Sequence, residues 1–139
     1  MAKTYKDVAF PLYVASKEII KRVNDALDEL GLTYTQYIAL SVLNVGVVDT
    51  VKEVGGVLYL DSGTLTPLFK KLENKGLVTR RRSNTDERQV VVKITNKGRT
   101  LYKQAEAALD GYDFKEQLSE TKIQTLSNYL GEMLAGFET

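Results

Sequence analysis

The side chains best placed to do chemistry in this sequence are short hydroxyls and cations, and their spacing favours binding over catalysis. The run Asp61-Ser62-Gly63-Thr64-Leu65-Thr66-Pro67 gathers three hydroxyl residues, Ser62, Thr64 and Thr66, around a glycine, with Lys70 and Lys71 following. Short hydroxyls hydrogen-bond phosphate oxygens or base edges, Gly63 lets the backbone approach closely, and the lysines suit phosphate contact. Capping a helix is a second use for Ser62, compatible with the first. Further on come Arg80-Arg81-Arg82 and Asp86-Glu87-Arg88. An arginine at the tip of a turn, here Arg88, suits the concentrated negative potential of a narrow minor groove. Asp86, two residues earlier, is spaced to hold that guanidinium in one pose, because Arg–carboxylate pairs are directional. Arg80 and Arg82 add cations to the same surface.

Equipment for making and breaking bonds is scarce. The 139 residues include no cysteine and no histidine. Disulfides, thiolate ligands, nucleophilic cysteine and thiol redox sensing are therefore excluded, and the commonest general base and metal ligand is missing. No nucleophile–base pair, phosphate loop or metal-ligand cluster emerges from the spacing of the remaining carboxylates, lysines, serines and tyrosines. Gly55-Gly56 falls in a short helix and reads as close packing, not as a phosphate cradle. The expectation is a protein that is not an enzyme and uses no metal or cofactor.

Charge is distributed unevenly. Residues 62–98 hold nine basic side chains against three acidic ones, so this third carries +6 and the remainder −5 within a net charge of +1. A basic segment inside a near-neutral chain points to a polyanionic partner. Hydrophobic residues at 43% and charged residues at 27% match a globular domain. No apolar run reaches the ~18 residues of a membrane span, and MAKTYKDVAF lacks a signal-peptide pattern, so a cytoplasmic location is expected.

The elements that must position these residues follow from periodicity. Val8, Leu12, Ile19, Val23, Leu27 and Leu30 recur at helical steps, predicting one long helix ended by Gly31, with Pro11 in its first turn or bending it. Capping boxes at Thr33–Gln36 and Thr50–Glu53 open helices reaching about Leu43 and Leu58. Asp61-Ser62 precedes a helix over roughly 63–75, with Leu65, Leu68 and Leu72 as its buried stripe. Residues 77–82 and 89–94, rich in β-branched side chains, predict a hairpin around 83–88. Thr95 caps a helix to about Leu109, and Ser119 starts a last one with a stripe at Ile123, Leu126, Leu130, Met133 and Phe137.

The fold class is therefore mainly α with a small β-hairpin: a winged helix-turn-helix core over 32–98, flanked by helices at 1–31 and 99–139, in one domain spanning 1–139. The core alone leaves nothing to cover the flanking stripes, which predicts that they dimerise. In a helix-turn-helix the second helix presents its N-terminal residues to base edges, which here are the Ser62–Thr66 hydroxyls.

The stretch Thr50-Val51-Lys52-Glu53 with Leu58-Tyr59-Leu60-Asp61-Ser62-Gly63-Thr64-Leu65-Thr66-Pro67-Leu68 resembles the MarR family of dimeric bacterial transcription regulators. The wing, residues 77–83 through Asp86-Glu87-Arg88, is similar to that of the family's organic-hydroperoxide repressors, as are residues 10–18 and 32–37. The resemblance runs from about residue 8 to residue 98. It implies a homodimeric repressor on a pseudo-palindromic operator of double-stranded DNA, with recognition helices ~34 Å apart, and it adds Thr50 to the DNA-binding residues.

The departures from that pattern concern sensing. Ala9 occupies the place of the family's peroxide-sensing cysteine, and Val23 that of one of the two tyrosines that hydrogen-bond the thiol; Tyr34 matches the other. An alanine forms no sulfenic acid, so that switch cannot operate. Ala9, Tyr13, Val23, Tyr34 and Tyr37 are candidate lining residues for a small-molecule effector pocket, although packing alone also accounts for the tyrosines. The leading reading is a sequence-specific DNA-binding repressor whose inducer the sequence does not give. Two alternatives stand beside it: a regulator released by a small-molecule inducer bound between the dimerisation helices and the winged domains, and a winged-helix protein-interaction module.

Overall fold

The computed structural model describes residues 5–86, 88–112 and 116–137. The chain forms two compact units, Met1–Leu109 and Asp110–Thr139.

In the first unit, α1 runs from Tyr5 to Leu27 and tightens into a 3-10 turn at Asp28–Leu30 before Gly31. Pro11 follows six residues of described helix, so it lies inside α1 and not in its first turn. The apolar series expected to form one stripe divides in two. Val23 and Leu27 are buried in the chain's own core and Leu30 packs against it, whereas Val8, Leu12 and Ile19 are exposed. The core does therefore cover the C-terminal third of α1, contrary to the expectation from length alone.

Helix α2 spans Tyr34–Val45 and α3 spans Val51–Leu58. Both begin with the expected capping boxes. The Thr33 and Thr50 hydroxyls accept from the amides of Gln36 and Glu53, whose side chains accept in return from the cap amides. Gly46 ends α2 at φ 83°, a left-handed value that costs glycine nothing. A short corner with Tyr59 at φ 58° leads to α4, Ser62–Asn74. Of the two glycines in α3, only Gly55 is a packing residue. A Cβ there would lie 2.5 Å from Leu65 Cδ1 and 2.9 Å from the Leu60 carbonyl oxygen, while one at Gly56 would meet nothing within 4 Å.

Strands β1 (Val78–Arg82) and β2 (Val90–Ile94) pair antiparallel, Val78 opposite Ile94 and Arg82 opposite Val90. The other edge of β2 engages the segment before α3: Thr50 bridges Val91, and the Val92 amide donates to the Asp49 carbonyl at 2.7 Å. Helix α5 covers Asn96–Leu109, with Thr95 Oγ1 accepting from the Gly98 amide. One core joins all these elements. Leu40, Val54, Phe69, Leu72, Leu77 and Val92 are at most 1% exposed, each worth ~1.5–3 kcal/mol of burial. Phe69 completes the α4 stripe that Leu65, Leu68 and Leu72 had marked.

The second unit holds α6, Glu120–Phe137, whose first turn is capped by Ser119. None of its described residues is buried, and Leu126, Tyr129, Met133, Leu134 and Phe137 are exposed. No described helix is long and apolar enough to cross a membrane.

Candidate nucleic-acid interface

Helix α4 is amphipathic in the way groove insertion requires. Leu65, Leu68, Phe69 and Leu72 turn inward; Ser62, Gly63, Thr64, Thr66, Lys70 and Lys71 are all exposed. The N-cap is Asp61, whose carboxylate accepts from the Thr64 amide at 2.8 Å. This corrects the capping role assigned to Ser62: that residue is the first of the helix. Asp61 had the right chemistry in the sequence, but two adjacent cap formers cannot be ranked by type alone. Gly63 is not demanded by the fold, since a Cβ there would meet only Asp61 Oδ1 at 3.4 Å. Its smallness leaves an open patch at the helix start.

Thr50 stands at the N-terminus of α3, where its hydroxyl both caps the helix and contacts Glu53 Oε1 at 2.8 Å. In the wing, Ser83 Oγ accepts from the amides of Thr85 and Asp86 and fixes the turn. Asp86 Oδ1 then accepts from the Arg88 amide at 3.0 Å and lies 3.5 Å from Arg88 Nε. The pairing read from the two-residue spacing is present, while the Arg88 side chain remains 93% exposed. Glu87, counted with the wing tip in the sequence, lies outside the described residues. Arg82 is exposed at the end of β1.

Arg80 behaves differently from its neighbours. Its guanidinium bonds Glu73 Oε1 of α4 at 3.0 Å, its side chain is only 26% exposed, and its Nε is buried without a hydrogen-bond partner. The hydrogen bond from Arg80 holds the Glu73 carboxyl below its ordinary pKa. Arg80 thus braces the hairpin against α4, where Glu73 lies seven residues back along the chain. The sequence carried this signal only as an acid and a base whose separation crosses an element boundary.

The five candidate effector residues do not converge within the chain. Tyr34 and Tyr37 are half-buried, their ring centroids 6.5 Å apart, and Tyr37 stacks on Tyr102 of α5 at 5.5 Å. Val23 is in the core beside Asn24, whose Oδ1 accepts from the Tyr34 amide at 2.7 Å. Tyr13 is 61% exposed with the Lys17 ammonium over its ring, ten residues or ~15 Å up α1 from Val23. Ala9 is half-buried another turn away. Tyr102, absent from the sequence-derived group, completes the aromatic row, and its hydroxyl donates to Glu106 Oε2 at 2.8 Å. Burial, with the neighbouring Tyr102 and Glu106, raises the Tyr37 pKa.

This architecture has known counterparts. The family model described as transcriptional regulator SarA/Rot matches residues 18–105. The organic hydroperoxide resistance transcriptional regulator of Bacillus subtilis is 46% identical over 103 residues, covering 74% of this chain and 70% of that protein. The HTH-type transcriptional regulator SarZ of Staphylococcus epidermidis is 36% identical over 129 residues, covering 90% and 87%. Among solved structures, reduced AbfR bound to DNA superposes with a TM-score of 0.84 at 27% identity, covering 96% of this chain and 94% of that one. The MarR resemblance read from the sequence is borne out, and the chain belongs to the SarA/Rot family of transcriptional regulators, with the winged helix-turn-helix of MarR-type proteins.

Proposed function

We propose that this protein is a homodimeric repressor that binds a pseudo-palindromic operator in double-stranded DNA. Helix α4 enters the major groove and the wing reaches the adjacent minor groove. The observation that carries this reading is the two-faced α4: an inward apolar stripe, and an outward face of Gly63, Thr66 and Lys70 that nothing in the fold requires. Residues 32–98 form the DNA-binding core. The flanking stretches 1–31 and 99–139 dimerise, supported by the uncovered apolar residues of α1 and α6. In this reading Ser62, Gly63, Thr64 and Thr66 face bases and phosphates, Lys70, Lys71, Arg82 and Arg88 neutralise phosphates or the minor groove, Asp86 poses Arg88, and Thr50 meets the backbone. Arg80 acts indirectly, through Glu73. The protein acts in the cytoplasm and catalyses no reaction.

A chain without cysteine cannot use thiol oxidation as its switch. A second reading, in which a small apolar or aromatic acid releases the dimer from DNA, is favoured by the Tyr34–Tyr37–Tyr102 row between α2 and α5.

Fluorescence anisotropy on a duplex from the DNA upstream of its own gene, titrated with an organic hydroperoxide and then with aromatic acids, tests both. Salt-sensitive binding that survives hydroperoxide is expected. Release by hydroperoxide would overturn the redox-blind reading, and salt-independent binding would overturn phosphate contact.

A further inference from the structure

The basic segment that marks the DNA-binding core is not uniformly available to phosphate. Several of its nine cations, Lys75, Arg80, Arg88 and Lys97 among them, have partners inside the chain. Lys75 links elements far apart in the chain. It is the residue immediately after α4, and its ammonium reaches back across the fold to two acceptors. Nζ donates to the Gly31 carbonyl oxygen at 2.5 Å and to Gln36 Oε1 at 3.1 Å. Gln36 is only 5% exposed and is the N3 residue of the α2 capping box, so the same Oε1 also accepts from the Thr33 amide at 3.2 Å.

The main chain at this point is fastened as well. Lys97 Nζ donates to the Lys75 carbonyl at 2.9 Å, and Thr95 Oγ1 donates to the Gly76 carbonyl at 2.7 Å. The C-terminal end of α4 is thereby tied to the start of α5 through backbone acceptors, and to the corner between α1 and α2 through one side chain. A cation also suits this place electrostatically, since it meets the negative ends of both α4 and the 3-10 turn. The N-terminal end of α4 faces outward, and the attachment at its far end adds to the buried stripe Leu65, Leu68, Phe69 and Leu72 in holding the direction in which the helix projects.

We infer that Lys75 is a positioning residue for DNA binding: its ammonium straps the end of the recognition helix to the α1–α2 corner and thereby sets the angle at which Ser62–Thr66 meet the groove. This rests on the proposed DNA-binding function. It differs from the reading that the segment's charge alone would suggest, in which Lys75 is one more phosphate contact. It also provides a physical link from the corner holding Asn24, Thr33 and Tyr34 to the recognition helix.

The two roles separate by salt dependence. A lysine that neutralises a phosphate contributes about 0.9 to the slope of log affinity against log salt, and its removal lowers that slope. A positioning lysine leaves the slope unchanged. The test uses a duplex selected from a random-sequence pool by the wild-type protein, with unselected duplex for comparison. Affinities are measured where circular dichroism shows each variant fully folded.

Lys75→Met should weaken binding to the selected duplex by about tenfold at every salt concentration. The slope and the affinity for unselected duplex should not change. Lys75→Arg, which supplies two donors to the same acceptors, should restore most of the loss. Gln36→Leu should weaken binding similarly, and the double variant should lose no more than the worse single one. A slope reduced by about 0.9, or unchanged affinity for the selected duplex, overturns the inference.

Amide hydrogen exchange in the DNA-free protein gives an independent reading. Lys75→Met should raise exchange over residues 31–37, and unchanged protection there overturns the strap. If the wild-type protein selects no duplex, the DNA-binding proposal fails on its own, and the exchange result still decides whether the strap exists.

Discussion

Replacing Gly98 by alanine should destabilise the protein although it improves the helix in which Gly98 sits. Alanine is favoured over glycine inside a helix by ~1 kcal/mol, and α5 continues for eleven residues beyond this position. Against that gain stands the space available. A Cβ on Gly98 would press on the Leu77 carbonyl oxygen, come within 3.1 Å of the Leu77 carbonyl carbon, and lie 2.8 Å from Ile94 Cγ1. The first two are backbone atoms at the entrance to β1, and Leu77 O already accepts from the Thr95 amide at 3.0 Å. Backbone cannot yield as a flexible side-chain end does. Overpacking of this kind costs ~1–3 kcal/mol, and displacing the Leu77–Thr95 hydrogen bond adds about 1 kcal/mol. The net expectation is a loss of about 1–3 kcal/mol. Gly56→Ala is the internal control: it lies in α3, is exposed, and has nothing within 4 Å of the new methyl, so it should stabilise by up to ~1 kcal/mol. Urea denaturation of the two variants beside the wild type measures both. If Gly98→Ala proves as stable as Gly56→Ala, the close approach of α5 to β1 is refuted.

Thr50→Ala should cost ~0.5–2 kcal/mol through the lost cap; denaturation reads that loss, and anisotropy on duplex DNA tells whether Thr50 also touches the backbone. Lys70→Ala should reduce the slope of log affinity against log salt by about 0.9, and an unchanged slope removes Lys70 from the interface. Arg80 lowers the Glu73 pKa, so the stabilisation by this pair is present above the ordinary carboxylate pKa and lost as pH falls through the depressed folded value. The stability gap between wild type and Glu73→Gln should accordingly close on acidification, and a gap that widens would contradict the sign. Light scattering should give about twice the 15.5 kDa chain mass, and Leu126→Asp should shift the population towards monomer; a wild-type monomer at micromolar concentration sinks the dimer.

What was legible in the sequence is what local chemistry decides. The boxes at Thr33 and Thr50 are closed by residues three apart, so each helix start can be read from four letters, and both are observed. The α4 surface was legible for a related reason, since a helix period separates its inward leucines from its hydroxyls and lysines. What escaped was decided at a distance. Nothing in the spacing of α1 says that Val23 and Leu27 belong to the chain's own core while Val8 and Leu12 do not, because the pattern continues unbroken across the division. Arg80 looked like its neighbours until the fold brought Glu73 to it. Tyr102, remote in sequence from Tyr34 and Tyr37, joins them only because α5 packs on α2.

The bridge between Thr50 and Val91, with the Asp49 carbonyl bonded to the Val92 amide, makes the start of α3 part of the wing sheet. Together with the Glu73–Arg80 brace on α4, it ties the base of the wing to the helix-turn-helix at two places. On the proposed reading, in which α4 and Arg88 both meet DNA, the two act as one calliper whose gap these contacts set. Such an instrument measures distance as well as sequence. A duplex with the right bases for α4 but a minor groove displaced along the helix would leave Arg88 in solvent, so this protein should reject sites by their spacing even where their letters match.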